Sequence, residues 1–168
     1  NERKGSIPPT YMFYAIIRSP LHLVDYITFS GRGEPTLAEN LGAMIQAIKA
    51  LRHEKVAVIT NSSLMSLSDV RADLMCADFV LAKLDAGNQA SFDCVDKNQQ
   101  LDFAKMIQGM MDFRRDFKGK IALQVMLIDQ NIDSVKQIAQ VARSLNVDEI
   151  QLNKPLRPVG AQPLERHR

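Results

Sequence analysis

The chain has 168 residues, 46% of them hydrophobic, enough for one domain with a sizeable core. Its 21 Lys and Arg against 19 Asp and Glu leave a formal charge of +2, too weak and too dispersed to select nucleic acid or a membrane surface as partner. The two cysteines, Cys76 and Cys94, lie far apart with no CxxC and no His-rich neighbourhood, so neither a disulfide framework nor a zinc site is implied and a reducing, cytoplasmic setting is the simpler reading.

The amino end is polar, opens on Asn1 rather than Met, and has no signal-peptide pattern; no apolar run approaches the ~20 residues of a membrane span. After a lead-in over residues 1–7, Pro8-Pro9 can open a helix through Tyr11 to about Arg18, stopped by Ser19-Pro20. The run from Val24 to Phe29, rich in β-branched and aromatic residues, reads as a buried strand. It stops at Ser30-Gly31-Arg32-Gly33-Glu34-Pro35, where Gly31 and Gly33 permit positive φ and close approach of a ligand, and Pro35 can start the next helix. Leu41, Met44, Ile45, Ile48 and Leu51 recur at helical spacing, so Leu37 to Arg52 is expected as an amphipathic helix.

Val56 to Thr60 is a continuous apolar run, the mark of a strand covered on both faces, and it ends in Asn61-Ser62-Ser63. Ser68 or Asp69 can cap a helix over Val70 to Met75, and Asp78 to Lys83 makes a third strand ending at Leu84-Asp85-Ala86-Gly87-Asn88. A short helical piece near Ala90 to Val95 precedes a longer helix, Leu101 to Phe117, with Phe103, Ile107, Met110 and Phe113 or Phe117 on its buried side and Gly119 as its stop. Ile121 to Leu127 is a fourth strand. Asp133 or Ser134 then caps Val135 to Leu145, Glu149 to Asn153 is a fifth strand, and a loop tail follows.

Strands alternating with helices require parallel pairing through right-handed crossovers, so the single domain, residues 1–168, is α/β. Periodicity leaves open a doubly wound sheet or a β/α barrel. In either, the strand ends converge on one rim, and here they carry Ser30, Glu34, Asn61, Ser62, Lys83, Asp85 and Asn153, with Gln124 inside the fourth strand. Hydroxyl, amide, carboxylate and cation around one cleft suit a polar, multifunctional ligand, although Asn, Ser and Asp at strand ends also serve as turn and cap residues. His22, His53 and His167 are scattered, which weighs against a metal hydrolase. The Gly-rich turn lacks the Gly-Lys-Ser/Thr of a phosphate loop and the third glycine of a dinucleotide site, and Ser30 has no paired His for acyl transfer.

Taken together, Tyr26-Ile27-Thr28-Phe29-Ser30-Gly31-Arg32-Gly33-Glu34-Pro35-Thr36-Leu37, Val58 to Leu64, Leu84-Asp85-Ala86, Phe113 to Lys120 with Gln124 to Leu127, and Gln151-Leu152-Asn153 with Leu156-Arg157-Pro158 resemble the radical S-adenosylmethionine enzymes, in the branch of the wyosine-base synthases. The resemblance covers Asp25 to about Val159. It implies a partial, TIM-barrel-like β/α barrel of six strands, of which this chain holds the second to the sixth. It implies S-adenosylmethionine as cofactor, with Ser30, Gly31, Gly33, Glu34 and Pro35 at its amino group, Asn61, Ser62, Lys83 and Asp85 near its ribose and carboxylate, and Gln124 and Asn153 near adenosine or substrate.

One departure from the family pattern matters: the loop with CxxxCxxC, whose thiolates hold a [4Fe-4S] cluster, has no counterpart in this sequence. The resemblance therefore implies an amino-terminally shortened piece of a longer enzyme. The complete enzyme would take electrons from a flavodoxin or ferredoxin, cleave the cofactor reductively to a 5′-deoxyadenosyl radical and abstract hydrogen from a substrate such as a tRNA base or a partner enzyme. An open barrel edge would favour self-association. A cluster-free binding or assembly module on the same fold, and an unrelated β/α barrel enzyme acting on a phosphorylated metabolite, are the alternatives.

Overall fold

The computed structural model describes Gly5 and residues 24–30, 33–96 and 101–154. The helix expected at Tyr11 to Arg18, Gly31, and the tail beyond Lys154 lie outside the described residues. Among the described residues five strands form one sheet: β1 Tyr26–Phe29, β2 Lys55–Thr60, β3 Phe79–Lys83, β4 Lys120–Met126 and β5 Glu149–Asn153. All neighbouring pairs are parallel and the spatial order is β1-β2-β3-β4-β5. A doubly wound sheet reverses its strand order at a switch point; strictly sequential order is that of a β/α barrel wall. That resolves the alternative left open by periodicity. Among the described residues no helix is long and apolar enough to cross a membrane.

Helices α1 Leu41–Leu51, α2 Ser68–Leu74, α3 Gln89–Asp96, α4 Phe103–Asp116 and α5 Val135–Ser144 fill the crossovers. Strand alternation divides the sheet cleanly. Val56, Val58, Val80, Ala82, Ile121, Leu123 and Val125 join the helix-facing core with Leu41, Met44, Ile45, Ile48, Val70, Leu74, Met110 and Phe113. Ala57, Leu81 and Ala122 are buried on the other, concave face, where Tyr26 and Phe79 meet with ring centroids 5.6 Å apart. Ile150 and Leu152, on the helix side of β5, stay 48% and 67% exposed.

Several local expectations are corrected. The helix drawn from Leu37 is broken: Pro35–Leu37 form a separate 3-10 turn, Ala38 is extended, and α1 begins only at Leu41. Leu51, on the apolar stripe by spacing, is 54% exposed because it lies in the last turn. Neither Ser68, Asp69 nor Ser134 caps through its side chain: α2 begins after Leu67, and Ser134 belongs to a 3-10 turn leading into α5. Asp102, by contrast, accepts from Lys105 N–H and caps α4. That helix ends at Asp116, so Gly119 does not stop it; a Cβ there would lie 2.5 Å from Asp78 O, and the bare Cα lets the chain pass beneath β3. Gly33 does not take positive φ; near the rim it is Ser62 that does, at φ 68.

The amino ends of the strands are tied by a repeated device. Asp78, just before β3, accepts from Val56 N–H at 2.8 Å and from Lys49 Nζ at 2.6 Å. Asp148, just before β5, accepts from Ile121 N–H at 2.9 Å and takes Arg114 through two bonds of 3.1 Å. In both cases the cation lies seven residues before the N–H that shares its carboxylate. The Asp148 carboxyl is held below its usual range by the Ile121 N–H, with Arg114 assisting against the opposing effect of burial. For Asp78 burial is the largest influence and acts upward, but the bonds from Lys49 and Val56 N–H outweigh it and leave the group lowered.

A carboxyl lowered by folding contributes stability above its unfolded value, about 3.9, and the contribution is lost as pH falls through the folded value. Asp148→Asn is therefore expected to lower the urea midpoint at pH 7 and to flatten the loss of stability below about pH 4. Unfolding curves across pH check both, and a variant with the wild-type acid slope contradicts the assignment. Gly109→Ala is expected to cost about 1–3 kcal/mol in the same measurement, because its Cβ would meet Met65 O at 2.1 Å, a main-chain atom with little room to yield.

Candidate functional site

At the carboxyl edge of the sheet a cleft of about 200 Å³ is lined by Ser30, Gly33, Glu34, Pro35, Ile59, Thr60, Asn61, Lys83 and Gln124. Seven of the residues singled out in the sequence thus converge there, from the ends of β1, β2 and β3 and from within β4. A wider depression of about 650 Å³ lies at the opposite end, lined by Tyr26, Lys55, Asp78, Lys118 and Lys120 among others. Parallel β/α folds present ligands at the carboxyl ends of their strands, so the smaller cleft is the candidate site.

The rim is held by side chains that stitch one strand to the next. Glu34, at the start of the 3-10 turn, accepts at Oε1 from Thr36 N–H at 3.2 Å, Thr36 Oγ1 at 2.7 Å and Thr60 Oγ1 at 2.7 Å. Its Oε2 accepts from Asn61 N–H at 2.7 Å. Three donors crowd Oε1 and one takes Oε2, so Glu34 closes the seam between β1 and β2 with most of its side-chain acceptor capacity. Thr36 and Thr60, 0% and 2% exposed, are the partners that sequence reading missed. The signal was present in the threonines two residues after the glutamate and at the end of β2.

Ser62 closes the next seam. Its Oγ donates to Lys83 O at 2.9 Å, its N–H donates to Thr60 Oγ1 at 3.1 Å, and the left-handed backbone turns the hydroxyl back under β3. Asp85 closes the third: Oδ1 accepts from Met126 N–H at 2.7 Å while Oδ2 holds Lys83 Nζ at 2.8 Å. Asn131, wholly buried, donates to both Asp85 O at 2.9 Å and Met126 O at 2.8 Å and accepts from Ile128 N–H at 2.9 Å. It too was absent from the sequence reading, since an Asn in an Asp-Gln-Asn turn gives no sign of burial. Leu127 N–H completes the series on Asn153 O at 2.9 Å.

Ser62 and Asp85 are therefore buried stitching groups outside the cleft lining, although both were expected to line it. What the cleft can offer a ligand is different: the Gly33 main chain, the exposed Ser30 and Asn61, the Lys83 ammonium, and the Gln124 amide. Lys83 is steered by its bond to Asp85, whose side chain is 5% exposed against 37% for the lysine, so the acid is hidden and the cation faces outward. Asn61 spends its Oδ1 on Ser63 N–H at 3.0 Å. Asn153 lies two residues beyond Gln151, opposite Met126 on β4, and is not among the residues lining the cleft.

No family model matches the chain. Among curated proteins it is 41% identical over 133 residues to a protein named GTPase Obg from Brachyspira hyodysenteriae, a match covering 77% of this chain and 20% of that protein. It is 33% identical over 147 residues to a UPF0026 protein of Synechocystis sp., covering 85% and 54%, and 32% identical over 139 residues to one of Methanocaldococcus jannaschii, covering 80% and 43%. The chain thus spans from about a fifth to about half the length of these relatives. Among solved structures, TYW1 with a lysine-pyruvate adduct bound superposes with a TM-score of 0.65 at 20% identity, covering 79% of this chain and 42% of that one. SuiB of Streptococcus suis superposes with a TM-score of 0.59 at 14% identity, covering 85% and 32%. These likenesses establish the fold as TIM-barrel-like.

Glu34→Gln is expected to destabilise the chain by about 1–3 kcal/mol, because the amide nitrogen would face donors that now need an acceptor. Asn61→Ala, which removes an exposed group, should fall within about 0.5 kcal/mol of wild type. Equal urea midpoints for the two variants would refute the stitching role.

Proposed function

We propose that the chain forms the cofactor-binding core of a radical S-adenosylmethionine enzyme. The observation that carries the reading is the convergence of the Gly33-Glu34-Pro35 turn, Asn61, Lys83 and Gln124 on one cleft at the carboxyl edge of a sequentially ordered parallel sheet. The two structural neighbours are radical S-adenosylmethionine enzymes, which supports the same assignment.

The donor set suits the amino-acid end of S-adenosylmethionine. Main-chain oxygens of the turn can accept from its ammonium, and Lys83, oriented by Asp85, can pair with its carboxylate. Ser30 and Asn61 supply further polar contacts at the same end, and Gln124 and Asn153 lie toward adenosine or substrate. When bound, the cofactor supplies a 5′-deoxyadenosyl group for hydrogen abstraction; this chain's residues bind it, orient it and shield it from water.

A [4Fe-4S] cluster does not fit the residues of this chain. Cys76 Sγ accepts from Gln46 Nε2 at 3.4 Å and lies 3.8 Å from Ala72 O beside α2, while Cys94 is exposed on α3. Among the described residues no group of three or more His, Cys, Asp or Glu is arranged to hold a metal ion. No reductive step is assigned to these residues; cluster ligands and a reductant such as flavodoxin or ferredoxin are what the reading requires from elsewhere. The same donor set favours, as a second reading, a cluster-free binding module on this fold. GTP hydrolysis is not extended from the Brachyspira relative, because the match spans a fifth of that protein and this chain has no Gly-Lys-Ser/Thr phosphate loop. A tRNA base or a partner enzyme is the proposed substrate class, and self-association through the exposed face of β5 the proposed assembly.

Titration calorimetry with S-adenosylmethionine tests the reading. Binding that weakens about tenfold in Lys83→Ala, as for a lost charge-assisted bond, is the expected outcome, together with no 5′-deoxyadenosine after anaerobic treatment of the chain with iron and sulfide. Absence of cofactor binding to the folded wild-type chain would overturn it.

A further inference from the structure

The two edges of the sheet are not alike. β1 is short, and its helix-side residues Ile27 and Phe29 pack against the core. β5 has β4 as its one neighbour in the sheet and carries Ile150 and Leu152 at 48% and 67% exposure. Of the seven large apolar side chains exposed among the described residues, Ile132, Val135, Ile150 and Leu152 belong to this last helix and strand with the turn before them, so exposed apolar surface is concentrated at one edge. The usual protections of an edge are missing from β5: it holds no proline, its register is unbroken by a bulge, and its helix side carries no charge.

Asn153 O accepts from Leu127 N–H, beyond the end of β4. Main-chain groups alternate sides along a strand, so the N–H and C=O of Ile150 and Leu152 point away from β4, toward the open edge. The residues with exposed apolar side chains are thus the ones with unpaired main-chain groups. The strand is also self-complementary. Read in either direction about Gln151, Glu149-Ile150-Gln151-Leu152-Asn153 sets polar against polar and apolar against apolar. One residue farther out, Asp148 stands at one end and Lys154 at the other, and Lys154 is exposed with no ion pair among the described residues.

We propose that β5 is a dimerisation edge whose occupant is β5 of a second copy, antiparallel to it about a twofold axis at Gln151. Ile150 and Leu152 exchange main-chain bonds with the partner's Leu152 and the partner's Ile150, and on the helix side the same residues form cross-strand apolar pairs. Asp148, bonded to Arg114 and still 36% exposed, comes opposite the partner's Lys154, and the symmetry repeats the pair. Charge selects this direction, since a parallel in-register pairing would set Asp148 beside the partner's Asp148. Attachment of β5 to the other edge, β1, would be head-to-tail and open-ended, whereas the twofold pairing closes. The inference rests on the self-association proposed above and supplies its strand, direction and register.

Sedimentation velocity of the 168-residue chain, from micromolar to near-millimolar concentration, tests the dimer. A monomer–dimer equilibrium that weakens with salt is expected. Leu152→Lys is expected to weaken it about a hundredfold, because each dimer loses two buried leucines. Lys154→Glu, which opposes acid to acid, is expected to weaken it about tenfold. Far-UV circular dichroism establishes that the variants fold. Register is read by disulfide trapping with oxidised glutathione in a Cys94→Ser background. Gln151→Cys is expected to give a covalent dimer, because a non-hydrogen-bonded pair on the axis has Cα atoms about 4.5 Å apart. Leu152→Cys is expected not to, because its two copies lie about 8 Å apart across the axis. A monomer at every concentration overturns the proposal and leaves the edge to a different chain. An undiminished dimer in folded Leu152→Lys, or trapping at position 152 and not at 151, keeps self-association and removes this interface. S-adenosylmethionine binding, measured on the same samples, decides the cofactor reading separately.

Discussion

The structure depends on side-chain acceptors that reach across the seams between parallel strands. In a parallel sheet the main-chain ladder runs out at each strand end, and donors and acceptors there must find other partners or remain exposed to water. Here Glu34, Ser62 and Asp85 close successive seams at the carboxyl rim, and Asp78 and Asp148 close two at the amino rim. The two aspartates share one construction, a main-chain N–H and a helix cation on one carboxylate, repeated across two pairs of strands. Parallel pairing has no hairpins to fix its register, so a carboxylate tied to one particular N–H of the neighbouring strand helps specify it.

This economy decides what the site can be. Glu34 spends most of its carboxylate on the seam, and Asp85 acts on the cleft through the lysine it steers. Polar groups at the rim thus divide into those that hold the edge and those that the edge presents. Lys83 is where the two sets meet: its carbonyl accepts from Ser62 while its ammonium reaches into the cleft. A substitution at Lys83 removes charge from the cleft and also leaves the hidden Asp85 carboxylate without its cation, whereas one at Ser62 or Asp85 alters the seam and only through it the cleft.

Strand positions and the parallel class were legible because buried parallel strands are continuous apolar runs with small polar residues at their ends. Val56 to Thr60 falls where the pattern puts it, whereas Glu149 to Asn153 is an alternating, half-exposed strand recognised without a continuous apolar run. Sequential strand order was not legible, since alternation of strands and helices is common to barrels and doubly wound sheets. Helix starts were the weak point: Ser68 and Ser134 have cap chemistry, but the chain enters α2 from extended Leu67 and α5 from a 3-10 turn, so their hydroxyls are not where a cap needs them. The site was legible as a set of residue types at strand ends. Which of them stitch and which face the cleft was hidden, because Ser62 owes its role to a left-handed backbone and Asn131 bonds two carbonyls brought together only by the fold, Asp85 O just past β3 and Met126 O at the end of β4.

The loop that carries Asn61 and Ser62 is also fixed from beneath, and this links helix packing to the cleft. Gly109 brings α4 so close to the Met65 carbonyl that no side chain would fit, and Arg71 of α2 donates to Met65 O at 2.8 Å and Ser66 O at 2.9 Å. Seams hold the loop laterally and helices hold it from below, so Asn61 is placed by groups that never touch the cleft. A rim held in this way binds with little rearrangement, which lowers the ordering cost of a ligand and makes the geometry of the free chain a guide to the geometry of the bound one. The opposite holds along β5, where Ile150 and Leu152 are exposed on the helix side and the strand is the least supported of the sheet.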